Sequence, residues 1–310
     1  MTLVSILIVN WNGMEFLDGC FQSIREKVRV PYEVIVMDNA STDGSADEIA
    51  QRYPWVRLIR SGENLGFAAG NNLAARHACG KYLLLLNNDT ILQTNLSDGI
   101  GLLEDDSRIG AVGAAMFGGD GALRYSCAHF PMPARLWFFA SMFYNPVKKG
   151  RLHDSSSPVA AYKVDYVEGS FLLTRADAWH KLSGIDERNY MYGDDVEYCR
   201  SLLNLGLLTV HCPSIRYTHF GGYNHSRMGY LFGGVRRFHR KFSSRRVQLE
   251  ADFVLRAGLL LRIPWYWARA KVKKDEVSKT ALTYAVELSR NWEQTLVDRH
   301  RFPLRAERQS

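Results

Sequence analysis

Short apolar segments alternate with helical patterns through the first 115 residues, and this alternation constrains the fold more than any other feature of the sequence. The predicted strands are 3–9, 32–37, 56–61, 82–86 and 109–112, and the predicted helices are 14–24, 45–53, 66–79 and 96–103. Because the strands are almost continuously apolar, we expect a mostly parallel sheet that helices cover on both faces. The sequence therefore predicts an α/β fold.

The regular alternation ends after residue 115. We interpret residues 125–150 as irregular, and strand patterns return at 164–168, 171–174 and 208–211. Helices are predicted to begin near Arg175 and to span 194–205, and the chain becomes basic and helical after Tyr223. Since no repeat or low-complexity linker divides the chain, we predict that this helical tail is an appendage to one domain.

The charge of the chain is unevenly distributed. The 310 residues carry a formal net charge of +7, but residues 227–274 alone sum to +11 and the first 226 residues to −4. A hydrophobic fraction of 46% and a charged fraction of 23% exclude disordered and collagenous classes. We therefore predict an acidic globular domain over 1–226 and a basic helical extension over 227–310.

The cellular compartment is inferred from three absences in the sequence. Five scattered cysteines form an odd set without a CxxC pair, which favours a reduced, cytoplasmic setting. The apolar opening run lacks the basic flank of a signal peptide and is better explained as a buried strand. No run approaches the ~20 apolar residues that span a bilayer. The chain is predicted to cross no membrane.

The basic segment predicts an amphipathic helix on an anionic bilayer. A second amphipathic stretch, 257–270, adds aromatic side chains that suit the membrane interface. The alternative is a helix packed on the body with a solvated basic face. Nucleic acid is disfavoured as a partner because the body is acidic and carries no RNA or DNA motif. The residues concerned are Arg236, Arg237, Arg240, Lys241, Arg245 and Arg246, interleaved with Leu231, Phe232, Phe238, Phe242 and Val247, and then Trp265, Tyr266 and Trp267.

Polar residues follow three of the predicted strands. Ligands of parallel sheets bind beyond the carboxyl ends of the strands, so the loops 10–12, 38–45 and 87–89 should meet there. Asp38 could accept hydrogen bonds from a nucleobase or ribose, whereas Asp43 and Ser45 are more typical of helix capping. Beyond the strand at 82–86, Asp89 suits a divalent cation that also binds a diphosphate. Asn87 and Asn88, taken alone, would be typical of an Asx turn.

Two further positions could carry chemistry. Asp194 and Asp195 open a predicted helix, where acids can cap the helix or, as neighbours that raise each other's pKa, provide a general base. The residues alone support both interpretations equally. His219 follows a strand and precedes a glycine pair; a lone histidine is usually structural, but an imidazole can complete a metal shell that a carboxylate begins.

Taken together, these segments resemble family 2 glycosyltransferases of the GT-A fold, in particular the bacterial rhamnosyltransferase-like branch. The resemblance covers residues 3–226 and depends on the order and spacing of seven pieces. These pieces are Ile8–Asn12, Asp38–Ser45, Glu63–Asn72, Leu86–Thr90, Gly184–Glu187, Gly193–Glu197 and His219–Gly222.

The resemblance implies a role for each matching residue. The nucleotide would be held by Asn10, Asp38, Asn64, Gly66, Asn71 and Asn88. Asp89 would bind Mg²⁺ or Mn²⁺ together with His219, and Asp195 would be the catalytic base with Asp194 as its support. The turn 168–170 would lie near the sugar and the acceptor. One departure is that the first acid of the metal motif is Asn87 here.

The resemblance also implies an activity. It is the inverting transfer of a sugar from a nucleotide-diphospho-sugar, with dTDP-rhamnose suggested by family likeness, to a hydroxyl of a polyprenyl-linked glycan acceptor. Such an enzyme would act in surface polysaccharide synthesis, bound peripherally to the inner face of the cell membrane. The alternative is a non-catalytic nucleotide-sugar-binding or scaffold subunit that lost its chemistry with the change at Asn87. A nucleotidyltransferase is disfavoured, because no glycine-rich basic loop for a triphosphate lies near residue 10.

Overall fold

The computed structural model describes residues 2–140, 160–221, 227–273 and 276–296. The chain divides into two compact units. Of the described residues, the first comprises 2–130, 160–187 and 194–221, and the second comprises 131–140, 188–193, 227–273 and 276–296. The boundary predicted after residue 226 adjoins residues 222–226, which lie outside the described ranges, and it stays a prediction.

The first unit is built on a ten-stranded mixed sheet. Its main path runs β3-β2-β1-β4-β11-β6-β12-β5, and the pairs among β3, β2, β1 and β4 are all parallel. β8 and β10 form a separate two-stranded sheet. The strands are β1 Val4–Asn10, β2 Tyr32–Asp38, β3 Val56–Arg60, β4 Tyr82–Leu86, β5 Thr90–Leu92, β6 Ile109–Gly118, β7 Leu123–Arg124, β8 Cys127–Ala128, β9 Tyr162–Val164, β10 Tyr166–Val167, β11 Phe171–Arg175 and β12 Leu208–His219.

Ten α-helices are described in the two units together. Six of them, α1 to α4, α6 and α7, belong to the first unit and the other four to the second. The helices are α1 Leu17–Lys27, α2 Ser45–Arg52, α3 Gly66–Ala75, α4 Ser97–Asp105, α5 Pro133–Ala140, α6 Ala176–Leu182, α7 Asp194–Asn204, α8 Met228–Phe242, α9 Arg245–Lys273 and α10 Glu276–Arg290.

Two apolar layers, one on each face of the sheet, explain why the strands are continuously apolar. In β1, Ile6 and Ile8 belong to one layer and Leu7 to the other, since successive side chains point to opposite faces. The small residues of α3 allow this helix to approach the sheet closely. A Cβ on Gly70 would lie 3.0 Å from Val9 Cγ2. Burial on both faces confirms the predicted α/β layering.

The structure corrects several predicted boundaries. Strands β6 and β12 extend to residues 118 and 219, well beyond the predicted ends at 112 and 211. In β12 the register with β6 shifts between Cys212 and Arg216, because Pro213 cannot donate to the ladder, and pairing then resumes. The predicted helix 66–79 ends at Ala75. Part of the segment interpreted as irregular forms β8 and α5, so that interpretation was wrong there.

The second unit is helical, as predicted for the tail, but it buries residues that we expected at a membrane surface. Phe232 and Phe238 are buried. Arg236 is 2% exposed, donates to Asp252 at 2.7 Å and lies over the ring of Trp292. The prediction that these three side chains of α8 face lipid is therefore wrong, because they stabilise the interior of the unit. Within the described ranges, no helix has the length and apolarity needed to cross a membrane.

Candidate functional site

The three strand-end loops predicted to meet do come together, around the side chain of Asn10. Asn10 is completely buried, and its amide donates to Asp38 Oδ1 and to Ser45 Oγ, both at 2.9 Å. Asn88 Nδ2 in turn donates to Asn10 Oδ1 at 2.9 Å. The parallel register that pairs Asn10 with Asp38 at the last position of β1 and β2 brings these groups into contact.

Gly13 is a residue of this region that the sequence analysis missed. A Cβ at Gly13 would lie 2.0 Å from Asn88 Nδ2 and 2.6 Å from Asn10 Oδ1. Only glycine therefore leaves room for the hydrogen bond between those two asparagines. The sequence signal at this position is a glycine directly after the strand-end loop 10–12. Asp43 accepts from the backbone N–H groups of Met14 and Ser45, the local role favoured by the sequence.

The start of α3 forms a second group of predicted nucleotide-binding residues. Asn64 Oδ1 accepts from the N–H of Gly66 at 2.9 Å, and Gly66 has a φ of 79° that favours glycine. Asn71 Nδ2 donates to the carbonyl of Phe67 at 3.0 Å. The Oδ1 atoms of Asn71 and of Asn39 are buried and have no hydrogen-bond partner in the part of the chain that the structure describes. These two acceptors are therefore unsatisfied within the described residues.

Asp89 and His219 form a pair where β5 meets β12. The antiparallel pairing of β5 with β12 sets Thr90 opposite His219, and this brings the preceding residue, Asp89, beside the imidazole. Asp89 Oδ1 lies 3.2 Å from His219 Nε2, and both side chains are about one-sixth exposed, at 17% and 16%. The two residues that the resemblance assigned to one cation site thus lie side by side in the structure. Asn87 Nδ2 lies 3.3 Å from the same imidazole nitrogen.

The electrostatics of this pair follow from its burial and its charge. Burial acts to lower the pKa of His219, but the adjacent Asp89 carboxylate outweighs it, and the pKa is raised above the ordinary value. The nearby Glu168 carboxyl acts in the same direction as Asp89. The imidazole therefore lies in a negative field, the setting in which a cation is favoured.

The pair fits a divalent cation in three respects. Two adjacent ligands of an octahedral ion with bonds of about 2.1 Å are about 3 Å apart, which is the spacing seen here. Asp89 Oδ1 is buried and accepts no hydrogen bond from the described residues. A Cβ at Gly221 would lie 2.7 Å from both Asp89 Oδ2 and His219 Nε2, so glycine keeps the approach open. No cluster of three such ligands occurs among the described residues.

Asp195 lies in the first turn of α7 with both carboxylate oxygens engaged. Its Oδ1 accepts from the N–H of Val196 at 2.7 Å, and its Oδ2 accepts from the N–H of Gly169 at 3.1 Å. Burial raises the pKa of Asp195 above its usual value, although those N–H groups act in the opposite direction. Asp194, the first residue of α7, is 4% exposed. Asp195 thus makes a capping contact and also reaches beyond its own helix.

The turn 168–170 connects this carboxylate to the loop that carries Asp89. Gly169 donates to Asp195, and the carbonyl of Ser170 accepts from the N–H of Asn87 at 3.2 Å. Desolvation and the charge of Asp195 raise the pKa of Glu168 to about 8, with His219 acting against them. The family resemblance implies that this turn lies near the sugar, but it implies no role for Glu168 itself. No local pattern signals a perturbed carboxyl, because the perturbation comes from distant segments.

The site residues thus fall into two regions of the first unit. The nucleotide-side network comprises Asn10, Asp38, Ser45 and Asn88, with Asn64, Gly66 and Asn71 at the nearby start of α3. The reactive edge comprises Asp89, Glu168, Asp195, His219 and Gly221. The roles assigned to these residues from the sequence stay predictions; the contacts described above are their structural basis.

Comparison with known proteins identifies the family. The family model for glycosyl transferase family 2 matches residues 5–171. An N-acetylglucosaminyl-diphospho-decaprenol L-rhamnosyltransferase of Mycobacterium tuberculosis is 27% identical over 293 residues, covering 84% of this chain and 93% of that protein. The rhamnosyltransferase WbbL of Escherichia coli is 26% identical over 253 residues, covering 78% of this chain and 92% of that protein.

A likeness to solved structures concerns the fold. The structure of a mannosyltransferase from Pyrobaculum calidifontis in complex with GDP-Man and Mn²⁺ aligns with a TM-score of 0.57 at 16% identity, covering 96% of this chain and 87% of that one. This confirms the predicted GT-A fold, a mostly parallel sheet flanked by helices with a helical C-terminal region. The extent of the family match over the sheet and its strand-end loops shows that the chain belongs to glycosyl transferase family 2.

Proposed function

We propose that this glycosyltransferase moves a sugar, with inversion, from a nucleotide-diphospho-sugar to a hydroxyl of a lipid-linked glycan acceptor. The observation that carries the proposal is the reactive edge. There, a buried carboxylate on α7 is hydrogen-bonded to a turn that is itself hydrogen-bonded to the loop of Asp89. A base and a cation site on one continuous edge are what a single displacement at a sugar carbon requires.

Asp89 and His219 would hold Mg²⁺ or Mn²⁺. When bound, the ion would act as a Lewis acid that neutralises charge on the departing diphosphate. The 3.2 Å spacing of the two side chains and the opening that Gly221 leaves support this assignment. Two protein ligands suit an ion that completes its shell with water and phosphate oxygens. The neighbouring mannosyltransferase structure contains Mn²⁺, which supports the same assignment.

Asp195 would accept the proton of the acceptor hydroxyl. Its orientation is fixed by the N–H groups of Gly169 and Val196, and its raised pKa makes it a stronger base than an exposed aspartate. Asp194, buried beside it, would support the start of α7. Desolvation and the neighbouring Asp195 raise the pKa of Glu168 to about 8, which disfavours Glu168 as a covalent nucleophile. A single assigned base favours inversion.

The nucleotide would bind against the strand-end loops. Asn10, Asp38 and Asn88 hold these loops to one another. Asn64 and Gly66 shape the start of α3, where the unpartnered Oδ1 of Asn71 would receive a donor from the base or ribose. We therefore assign the first group mainly to shaping the pocket and the second mainly to contact with the ligand.

The donor and acceptor are proposed from the relatives. Two of them are named rhamnosyltransferases, and the mycobacterial one is named for an N-acetylglucosaminyl-diphospho-decaprenol. The test is transfer of labelled sugar from dTDP-rhamnose, UDP-sugars or GDP-mannose to polyprenyl-diphosphate-linked N-acetylglucosamine, with Mn²⁺ or with EDTA. We expect dTDP-rhamnose to label the lipid fraction in the presence of Mn²⁺ only. Absence of transfer from every donor would contradict the proposal.

We further propose that α9 seats the enzyme on an anionic membrane. Leu249, Phe253, Leu260 and Trp267 are spaced at four and seven residues, so they share one face of the helix, and each is at least half exposed. Exposed basic residues flank this face and complement anionic lipid. They are Arg245, Arg246, Arg256 and Lys271.

Vesicle sedimentation tests the membrane proposal. The wild-type chain should bind phosphatidylglycerol-containing vesicles, and salt should weaken the binding. Replacing Phe253 and Leu260 together by serine should weaken it at least about 10-fold. Val277→Ser, at a residue of α10 that is 61% exposed, is the matched control and should bind normally. Binding that is absent, or unaffected by both salt and the double substitution, would contradict the proposal.

A further inference from the structure

We propose that Glu168 binds a hydroxyl of the transferred sugar and thereby helps to select the donor. This inference rests on the proposed function and adds to it a residue that recognises the sugar itself. Its basis is the position of Glu168 between the proposed base and the proposed cation site.

The backbone around Glu168 is fixed on both sides. The N–H of Glu168 donates to Ser126 at 2.9 Å, and its carbonyl accepts from Phe171 at 3.3 Å, which closes a turn. Within that turn, Gly169 donates to Asp195, and a Cβ at Gly169 would lie 3.0 Å from the ring of Phe67. The turn therefore has little freedom to move away from the base.

The next residue ties the turn to the cation side. The carbonyl of Ser170 accepts from the N–H of Asn87, and its hydroxyl makes a 2.8 Å hydrogen bond with the hydroxyl of Tyr217. Tyr217 lies on β12 two residues before His219. Glu168 is thus held on a short turn with Asp195 on one side and the ends of β4 and β12 on the other.

The Glu168 carboxyl interacts electrostatically with both sides. The charge of Asp195 raises the pKa of Glu168 and His219 lowers it, while Glu168 raises the pKa values of His219 and Tyr217. The side chain is only partly exposed, and no hydrogen bond from a described residue is among the causes that shift the pKa of its carboxyl. A carboxyl that is partly desolvated and has no protein partner can pair with a ligand that enters the site.

The geometry of the reaction determines which ligand group faces Glu168. In a single displacement, the acceptor hydroxyl lies at Asp195 and the departing diphosphate lies on the opposite face, toward Asp89 and His219. The sugar ring must occupy the space between them, which is the space beside Glu168. A protonated carboxyl can both donate to and accept from a sugar hydroxyl.

The test separates the sugar from the nucleotide. Calorimetry with Mn²⁺ compares the donor that supports transfer, dTDP-rhamnose in the first instance, with the same nucleoside diphosphate lacking the sugar. For Glu168→Ala we expect about 10-fold weaker binding of the nucleotide-sugar and unchanged binding of the diphosphate, because only the contact with the hydroxyl is lost. Glu168→Gln retains a donor and an acceptor and should stay within about 3-fold of wild type.

The controls distinguish the possible failures. Glu104→Ala, at an exposed surface glutamate paired with Lys81, should bind both ligands as wild type does. Equal weakening of both ligands by Glu168→Ala, or no weakening at all, would overturn the inference while the proposed function stands. Wild-type protein that binds no nucleotide-sugar would overturn the proposed function and the inference with it.

Discussion

The nucleotide-side network and the reactive edge both lie at strand ends of the same sheet. They differ in how many of their polar atoms are hydrogen-bonded within the protein. In the network, the buried amide of Asn10 reaches Asp38, Ser45 and Asn88 within the chain. At the reactive edge, Asp89 Oδ1 is buried without a hydrogen bond from the described residues, and the pKa values of Glu168 and Asp195 are raised.

This difference indicates that the network supports the fold and that the reactive edge carries the chemistry. A polar group that is hydrogen-bonded within the protein stabilises the fold, and its removal leaves a buried partner unsatisfied. Carboxyls that are desolvated without a full set of hydrogen bonds have shifted pKa values instead. Such shifted pKa values are concentrated at functional sites. We therefore expect substitutions in the network to affect mainly stability, and substitutions at the reactive edge to affect mainly turnover.

The largest effect is expected from Asp195→Asn. The amide cannot accept the proton of the acceptor, so turnover should fall at least about 10³-fold while donor binding persists. Asp43→Asn makes the same chemical change in a carboxylate that accepts from the backbone N–H groups of Met14 and Ser45, and it should keep most of its turnover. Turnover and calorimetric donor affinity would be measured for both variants. Comparable turnover in the two would remove the distinction between the regions.

Gly221→Ala should reduce turnover about 10- to 100-fold with little change in melting temperature, an effect similar to that of disturbing metal ligands. The added methyl group would enter the opening between Asp89 Oδ2 and His219 Nε2. Gly62→Ala is the control, because a Cβ there meets nothing within 4 Å. Titrating activity with Mn²⁺ would show the defect as a higher metal requirement. A normal Mn²⁺ requirement in Gly221→Ala would contradict the cation assignment.

Asn10→Ala should destabilise the fold rather than change the chemistry. Loss of the amide leaves Asp38 and Asn88 without a buried partner, which costs about 1–3 kcal/mol. The melting temperature should fall by about 3–10 °C. Asn95→Ala removes only an exposed bond to the N–H of Ser97 and should have a smaller effect. If turnover per folded molecule fell as sharply as in Asp195→Asn, Asn10 would belong to the reactive machinery.

The smallest effect concerns the pH dependence of stability. The pKa of Glu168 is raised from 4.5 to about 8, so the folded state keeps a proton that the unfolded chain releases. This stabilisation is complete below pH 4.5 and is lost as the pH rises toward 8. Glu168→Gln stays neutral at both pH values. The melting temperature of this variant minus that of wild type should therefore be a few degrees larger at pH 8 than at pH 5. Melting curves at both pH values test this, and a constant difference would contradict it.

The sequence predicted the framework of the fold because its signals are local. Continuous apolar strands such as 82–86 require cover on both faces, and the ends of β1, β2 and β4 then share one edge. Asp89 and His219 could be paired from the family resemblance. The extension of β12 to His219 was missed because Pro213 interrupts the pattern that marks a strand.

What the sequence could not show depends on long-range contacts. Nothing near Gly13 indicates that Asn88 packs against it, and nothing near Glu168 indicates the charge of Asp195. In the second unit, the burial of Arg236 depends on Asp252, Trp292 and Thr295, which are distant along the chain, so a basic helix pattern was mistaken for a surface. Each case needs the tertiary structure before its chemistry becomes visible.

The configuration of the new glycosidic bond tests the central claim most directly. The product of transfer from the donor that labels the lipid fraction would be released and its anomeric configuration compared with that of the donor by proton NMR. A single displacement with Asp195 as base predicts the opposite configuration in the product. A product with the donor's configuration would exclude a single displacement from the opposite face and would contradict the account of this site.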